Sequence, residues 1–513
     1  MSAHLLTILL VSPFAGAAAI LFLPQAARRA IRLTALASAL PPVAATVALF
    51  LGYDVAAGGF QFGEVWPVLP SIGIDLRLGV DGIGLALVAL TAIIYLTAIT
   101  TSWTVKEREK EYFLFLALLV TGVFGVFVSL DLFLFFLFYE LAVLPMYVLI
   151  GIWGSSMEVP AQGPFSKAFR AVGVGTKEYG AMKLTLYLLA GSAFILVGLF
   201  LLYVESGKFL PQPTFDFQAL AGLDLDPALQ SGIFLLFYVG FGVLAGIWPF
   251  HTWSPDGHAA APAAGSMMHA GVLMKLGAYG VLRLGFQLLP EAGQEWAWLV
   301  GLVASINIVY GAIAAGWQTD IKYLIAYSSV SHMGVVMLGM ATLTEPGLSG
   351  SVFQMVAHGL MTALFFTLVN LVYHKAHERN MTKMGGFADA MPGMAAFFVI
   401  AGLSSLGLPG LAGFVAEFLV FLGTWTSDHP WWLLPALAGA FITALYVLRA
   451  VRVIFYGPKP AHEIHLGDLE GSEWWTPVVL ATLLVVLGVW PRLMLDPIHV
   501  GVGEILARFG GGL

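Results

Sequence analysis

Apolar runs of about twenty residues recur from one end of the chain to the other, each long enough to cross a hydrocarbon layer about 30 Å thick as a helix. Fourteen such runs centre near residues 13, 40, 91, 120, 142, 192, 240, 274, 305, 331, 362, 408, 444 and 483. The pattern predicts an all-α polytopic membrane protein built as one transmembrane domain over 1–513. Two runs are interrupted. The seventh ends in "GVLAGIWPFHTWSP", and the twelfth reads "AGLSSLGLPGLAGFVAEF" with Pro409 between Gly407 and Gly410. Proline lacks an amide donor and clashes with the preceding turn, so both helices should break. Backbone groups freed at membrane depth are tolerated only where protein or water satisfies them. Breaks five spans apart predict two five-helix repeats with ion sites at the breaks, as in secondary transporters. The expected division is helices 1–3 over 4–110, a first repeat of helices 4–8 over 111–290, a second of helices 9–13 over 295–457, and a last helix with the C-terminus over 474–513.

Composition agrees with a membrane chain. Of 513 residues 59% are hydrophobic and 10% charged, outside the range of soluble domains. The chain has no cysteine, which excludes thiolate-held iron–sulfur clusters, disulfides and a cysteine nucleophile. The net charge of −7 is concentrated in no tail and gives no reason to expect nucleic acid. The opening "MSAHLLTILLVSPFAGAAAILFLP" has no basic residue ahead of its apolar core and reads as the first span rather than a cleaved signal. Lys and Arg give the orientation. With the N-terminus outside, sixteen fall on the inner side, among them Arg28, Lys106, Lys167, Arg170, Lys322 and Arg449. Five fall outside: Arg77, Lys208, Arg283, Arg492 and Arg508. Both termini are therefore expected to face outward.

Ionisable groups inside spans are the candidate chemistry, because an ion at bilayer depth costs several kcal/mol unless paired or hydrated. Glu140 lies roughly 14 Å along the fifth span, near the midplane. Lys275, in "HAGVLMKLGAYG", is similarly deep in the eighth, and Glu417 follows the break in the twelfth by about two turns. His332 and His358 lie between these last two in sequence and suit a proton relay. Lys183 sits near the inner end of its span, where snorkelling is the simpler reading. No metal spacing stands out: His251 and His258 are separated by Pro255, His374 and His377 fall in an inner loop, and His429, His462 and His465 look extramembrane. No glycine-rich phosphate loop of the strand-then-helix type occurs, so the chain is expected to carry no cofactor and no metal.

Five stretches carry a resemblance: "FYELAVLPMYVLIGIWG", "PFHTWSPDGHAAAPAAGSMMHAGVLMKLGAYGVLR", "IKYLIAYSSVSHMG", "QMVAHGLMTALFF" and "LGLPGLAGFVAEF". Together they resemble the antiporter-like membrane subunits of respiratory complex I, shared with Mrp-type cation/proton antiporters. No long lateral helix follows the fourteenth span, which points to the smaller type of these subunits. The resemblance implies fourteen helices, two inverted five-helix repeats, and helices 7 and 12 broken at mid-membrane. It implies a proton path on Glu140, Lys275, His332, His358 and Glu417. One position departs: where the family usually carries a helix-seven lysine, this chain has Leu244. A mid-membrane glutamate without its cation needs another group nearby, and His251 and His269, flanking the break, are the candidates alongside Lys275.

The resemblance implies a proton-translocating subunit of NADH-quinone oxidoreductase in a bacterial inner membrane. It would be surrounded by lipid and by other membrane subunits of that complex, especially other antiporter-like ones, and driven by redox changes in its partners. The alternatives are an Mrp-type antiporter subunit, a subunit of a membrane-bound hydrogenase, and an inert helical scaffold.

Overall fold

The computed structural model describes residues 4–157, 172–459 and 467–510. Lys167, Arg170, His462 and His465 lie outside them. Among the described residues, twelve helices are long and apolar enough to cross a membrane, so the chain is an integral, multi-pass membrane protein. In chain order they are α1 (Leu5–Phe22), α2 (Arg28–Gly52), α3 (Gly82–Thr101), α4 (Glu109–Val128), α5 (Leu132–Trp153), α6 (Lys177–Ser206) and α7, whose halves are Pro227–Ala245 and Trp253–Ala260. After α8 (263–287) come α9 (Pro290–Trp317), α10 (Ile321–Ala341) and α11 (Glu345–Ala376). Beyond α12 follow α13 (Leu433–Tyr456), α14 (Trp475–Val489) and a terminal helix α15 (Arg492–Ala507). Two segments outside that dozen, where the eighth and twelfth spans are expected, are irregular. The eighth, α8, runs over 263–287 with π-helical stretches at His269–Leu273 and Val281–Gln287. The twelfth, α12, is split into Pro392–Ser405 and Ala412–Thr426.

Aspartate sets many of the starts. Asp81 accepts from Gly84 N, Asp131 from Leu134 N and Asp320 from Lys322 N, so each apolar run opens on a carboxylate that satisfies an orphan amide. Burial sorts the bundle. In α10 and α11, 94% of the central window is buried inside the protein, against 33% in α13 and α14. The inner helices are therefore α3, α4, α8, α10 and α11, and they carry nearly half of the buried polar side chains. The outer ones expose leucine, as the lipid-facing surface requires.

Two features lie outside the expected spans. An antiparallel hairpin, β1 (Gln61–Leu69) and β2 (Ile74–Val80), joins α2 to α3. It is tied down where Leu130 N donates to Arg77 O at 2.8 Å and Asp75 N to Asp131 Oδ2 at 3.2 Å. Helix α15 packs across α3 and α11, with Gly501 against Asp81 and Ile83.

The halves of α12 meet at Gly413, where an added Cβ would stand 1.9 Å from the carbonyl oxygen of Ser404. Gly413→Ala is therefore expected to push the halves apart, an overpacking cost of about 1–3 kcal/mol or more. A lower thermal midpoint of the purified protein would register it; an unchanged midpoint would mean the two halves yield freely.

Candidate functional site

The two breaks are built alike. Each first half ends at a glycine in the left-handed region, Gly246 with φ 74° and Gly407 with φ 72°, two or three residues ahead of the proline. At the α7 break, Trp248 N donates to Asn307 Oδ1 at 2.9 Å, while Asn307 Nδ2 donates to Val330 O at 2.8 Å. The indole of Trp253 returns to donate to Val243 O at 2.9 Å. Asn307 and Trp253 thus serve the opened backbone, as the cost of unsatisfied groups at that depth demands. At the α12 break the missing side chain of Gly407 makes room for the carboxylate of Glu417, whose Oε2 lies 2.8 Å from where a Cβ would be.

Between the breaks runs a row of buried side chains in contact. Lys275, with no exposed surface, donates to Ala270 O and lies 2.6 Å from His358 Nδ1. Ala270 belongs to the first π-helical stretch, where the altered winding frees carbonyls that an α-helix would engage. The rings of His358 and His332 are 5.4 Å apart between centroids. His332 Nε2 is 3.1 Å from Ser405 Oγ, and its Nδ1 is 3.4 Å from Glu417 Oε1. Four expected site residues, on α8, α10, α11 and α12, are thus brought together.

His269 extends the row in another direction. Its ring stacks on that of His258 at 3.8 Å, with Trp253 and Phe366 on the outer sides. All ring nitrogens of His251, His258 and His269, and Nε2 of His358, are buried without a hydrogen-bond partner among the described residues. Buried polar atoms in that state are ordinarily served by water. Three residues beyond His258, Ala261 O accepts from Lys322 Nζ at 2.9 Å. Lys322 lines a crevice of about 370 Å³ that it shares with Lys106, Lys177 and His374.

Other expected residues stand apart. Glu140 is partly exposed, on the face of α5 that also shows Leu137, Leu144 and Tyr147, and its polar neighbour is Ser192 of α6. Phe241 and Leu244 are fully buried in the first half of α7, and Phe135 and Tyr139 of α5 pack on Phe241. His251 sits in the turn Phe250–Thr252 at the break with its ring edge-on to Tyr310 at 4.8 Å.

Several sequence readings change. Lys183 does not snorkel: its Nζ pairs with Asp256 Oδ2 at 2.7 Å, and Tyr323 donates to the other oxygen at 2.9 Å. Lys322 lies in the first turn of α10 rather than in a loop, and His374 in the last turn of α11. Arg283 is buried within α8 and paired with Asp81. Sequence reasoning weighed His258 only as a metal ligand and passed over Asp256 and Asn307. His258 and Asp256 were legible in "HTWSPDGH", since every polar residue beside an unwound segment has the same claim on its freed backbone and solvent; Asn307 had no such signal.

Comparisons with known proteins agree with this architecture. The family model described as "NADH:quinone oxidoreductase/Mrp antiporter, TM" matches residues 170–443. The chain is 36% identical to NAD(P)H-quinone oxidoreductase chain 4 3 of Trichormus variabilis, covering 98% of this chain and 91% of that one. It is 35% identical to NADH-quinone oxidoreductase subunit M of Rickettsia prowazekii, over 90% of each. A chain of respiratory complex I from Thermus thermophilus superposes with a TM-score of 0.84 at 26% identity, covering both chains fully. The Mrp complex from Dietzia sp. DQ12-45-1b shares the fold, with a TM-score of 0.83 at 19% identity over 99% of this chain and 98% of that one. With the family model spanning over half its length and relatives above 30% identity along nearly all of it, this chain belongs to the NADH:quinone oxidoreductase/Mrp antiporter family of membrane proteins.

Proposed function

We propose that this chain is a proton-translocating, antiporter-like membrane subunit of NADH-quinone oxidoreductase, itself without redox chemistry, moving protons in response to changes in its partner subunits. The observation that carries the reading is the buried row Lys275, His358, His332 and Glu417, lying between two broken helices. Rows of titratable groups inside a membrane bundle are the material of proton relays. The crevice at Lys322 lies on the face that the Lys/Arg bias assigns to the inside, and serves as the entrance through His258 and His269. Both termini then face outward across a bacterial inner membrane, and the other membrane subunits of the complex are its partners. The paired breaks support two inverted repeats over 111–290 and 295–457. Glu140, on its exposed face, and His251, beside its break, act as flanking groups that the partners or water complete.

The test uses vesicles containing the complex with its native partners. Glu417→Gln keeps the shape of the side chain and removes its charge. NADH-driven proton uptake is expected to fall about tenfold or more, while NADH oxidation by a soluble artificial acceptor stays at the wild-type rate. Undiminished uptake would remove Glu417 from the path. Uptake that requires sodium rather than redox turnover would favour the Mrp-type reading, which the shared fold keeps in view.

A further inference from the structure

His332 stands at a fork. Its Nδ1 is approached by two groups with opposite demands: Gln354 Nε2 at 3.2 Å, which donates, and Glu417 Oε1 at 3.4 Å, which accepts. A ring nitrogen of a neutral imidazole is either a donor or an acceptor. With the proton on Nε2, toward Ser405 Oγ, Nδ1 accepts from the Gln354 amide. With the proton on Nδ1, it points at the Glu417 carboxylate. In that second state the Gln354 amide nitrogen faces an N–H and must turn away. Gln354 has an acceptor ready for the exchange: its Oε1 is buried and has no partner among the described residues, and the residue is only 2% exposed. A half-turn of the amide brings this oxygen to Nδ1–H with little change of shape, since the amide oxygen and nitrogen are nearly isosteric.

We propose that Gln354 is a positioning residue that serves Nδ1 of His332 in both of its protonation states by reversing its amide, so that relay through this histidine runs repeatedly rather than once. The proposal rests on the reading of the row as a proton path. The cycle balances without any co-reactant. His332 keeps a proton on Nε2, toward Ser405 Oγ, throughout. A proton passed on from the His358 side adds at the Nδ1 lone pair and gives the imidazolium. That Nδ1 proton then goes to the Glu417 carboxylate, forming the acid and leaving the ring neutral again. Glu417 releases its proton onward. The bare Nδ1 lone pair then faces a carboxylate, and without a donor that arrangement is repulsive. The Gln354 Nε2–H group removes the repulsion, and its Oε1 then welcomes the next Nδ1 proton. The other charged or titratable groups facing the fork are His358 of α11 and, beyond it, Lys275 of α8.

Gln354→Met preserves length and volume but has neither donor nor acceptor. In the assembled complex, proton uptake per NADH oxidised is expected to fall at least about tenfold, bounded by the roughly 10⁴-fold that a wrong histidine tautomer costs a serine hydrolase. The solvent deuterium isotope effect on uptake should rise together with that loss, because proton movement at His332 becomes the slow step. Gln354→Glu, which offers oxygens and no donor, should show the same rise even if the methionine variant assembles poorly. Uptake at the wild-type rate in either assembled variant, or slower uptake with an unchanged isotope effect, would overturn the proposal, the latter pointing to a packing role. If wild type itself takes up no protons in these vesicles, or Glu417→Gln is undiminished, the reading of the path has failed instead.

Discussion

Replacing Lys275 by methionine is expected to cut proton translocation by about 10²-fold or more, the range that loss of a positioned acid–base group covers. Lys275 has no exposed surface, and its nitrogen holds two acceptors, Ala270 O and His358 Nδ1. Methionine, unbranched and of similar length, fills the space, so the packing of α8 against α11 survives. Each acceptor left unsatisfied costs about 1–3 kcal/mol, a loss of stability to be measured beside the loss of transport. The discriminating variant is Lys275→Arg. Arginine keeps the charge and the donors, which is all that a structural cation supplies, yet it does not give up its proton in a protein. If Lys275 relays protons, the arginine variant fails in proton uptake as badly as the methionine variant. If the arginine variant pumps normally while the methionine variant does not, Lys275 is an anchor and the row must bypass it.

That the row exists at all is readable from sequence, because an ionisable side chain at mid-span is too costly to persist there without a partner or a task. Twelve of the fourteen apolar centres fall on helices long and apolar enough to cross a membrane, and the other two on the irregular α8 and the split α12, since span length is imposed by the bilayer and not by the details of packing. His332, His358, Lys275 and Glu417 meet as expected. Their atoms do not follow from spacing: which nitrogen faces which oxygen depends on how α10, α11 and α12 cross. Glu140 illustrates the converse. Its depth is legible, but its place on the partly exposed face of α5 follows from packing on the opposite face, where Tyr139 meets the buried Phe241, and sequence reading counts such side chains only as apolar. The hairpin escapes such a reading because two short strands between long helices leave only the alternation of "IDLRLGV" as a signal. Lys183 resembles an interface lysine because Asp256, its partner, lies 73 residues away on a segment whose path depends on the break.

Removing the positive end of the Asp81–Arg283 pair is expected to be the most destabilising single change in the chain. The apolar pattern places Arg283 in an outer loop; the second π-helical stretch, Val281–Gln287, instead continues the helix through it and buries it in the protein. There its guanidinium meets the carboxylate of Asp81, donates to Gln287 Oε1 at 2.7 Å, and lies over the rings of Phe60 and Tyr279 at 5.3 and 5.1 Å. Asp81, wholly buried, also caps α3, so the pair joins the start of one inner helix to the end of another. Arg283→Met leaves that carboxylate without its cation, at a cost of about 3–5 kcal/mol. The thermal midpoint of the purified protein should drop sharply. Adding Asp81→Asn, which retains a capping oxygen but no charge, should recover part of the loss, because the penalty lies in the stranded charge more than in the missing bond. A double variant as unstable as the sum of the two singles would show instead that the two side chains act independently, and that α3 and α8 are held together by their apolar surfaces alone.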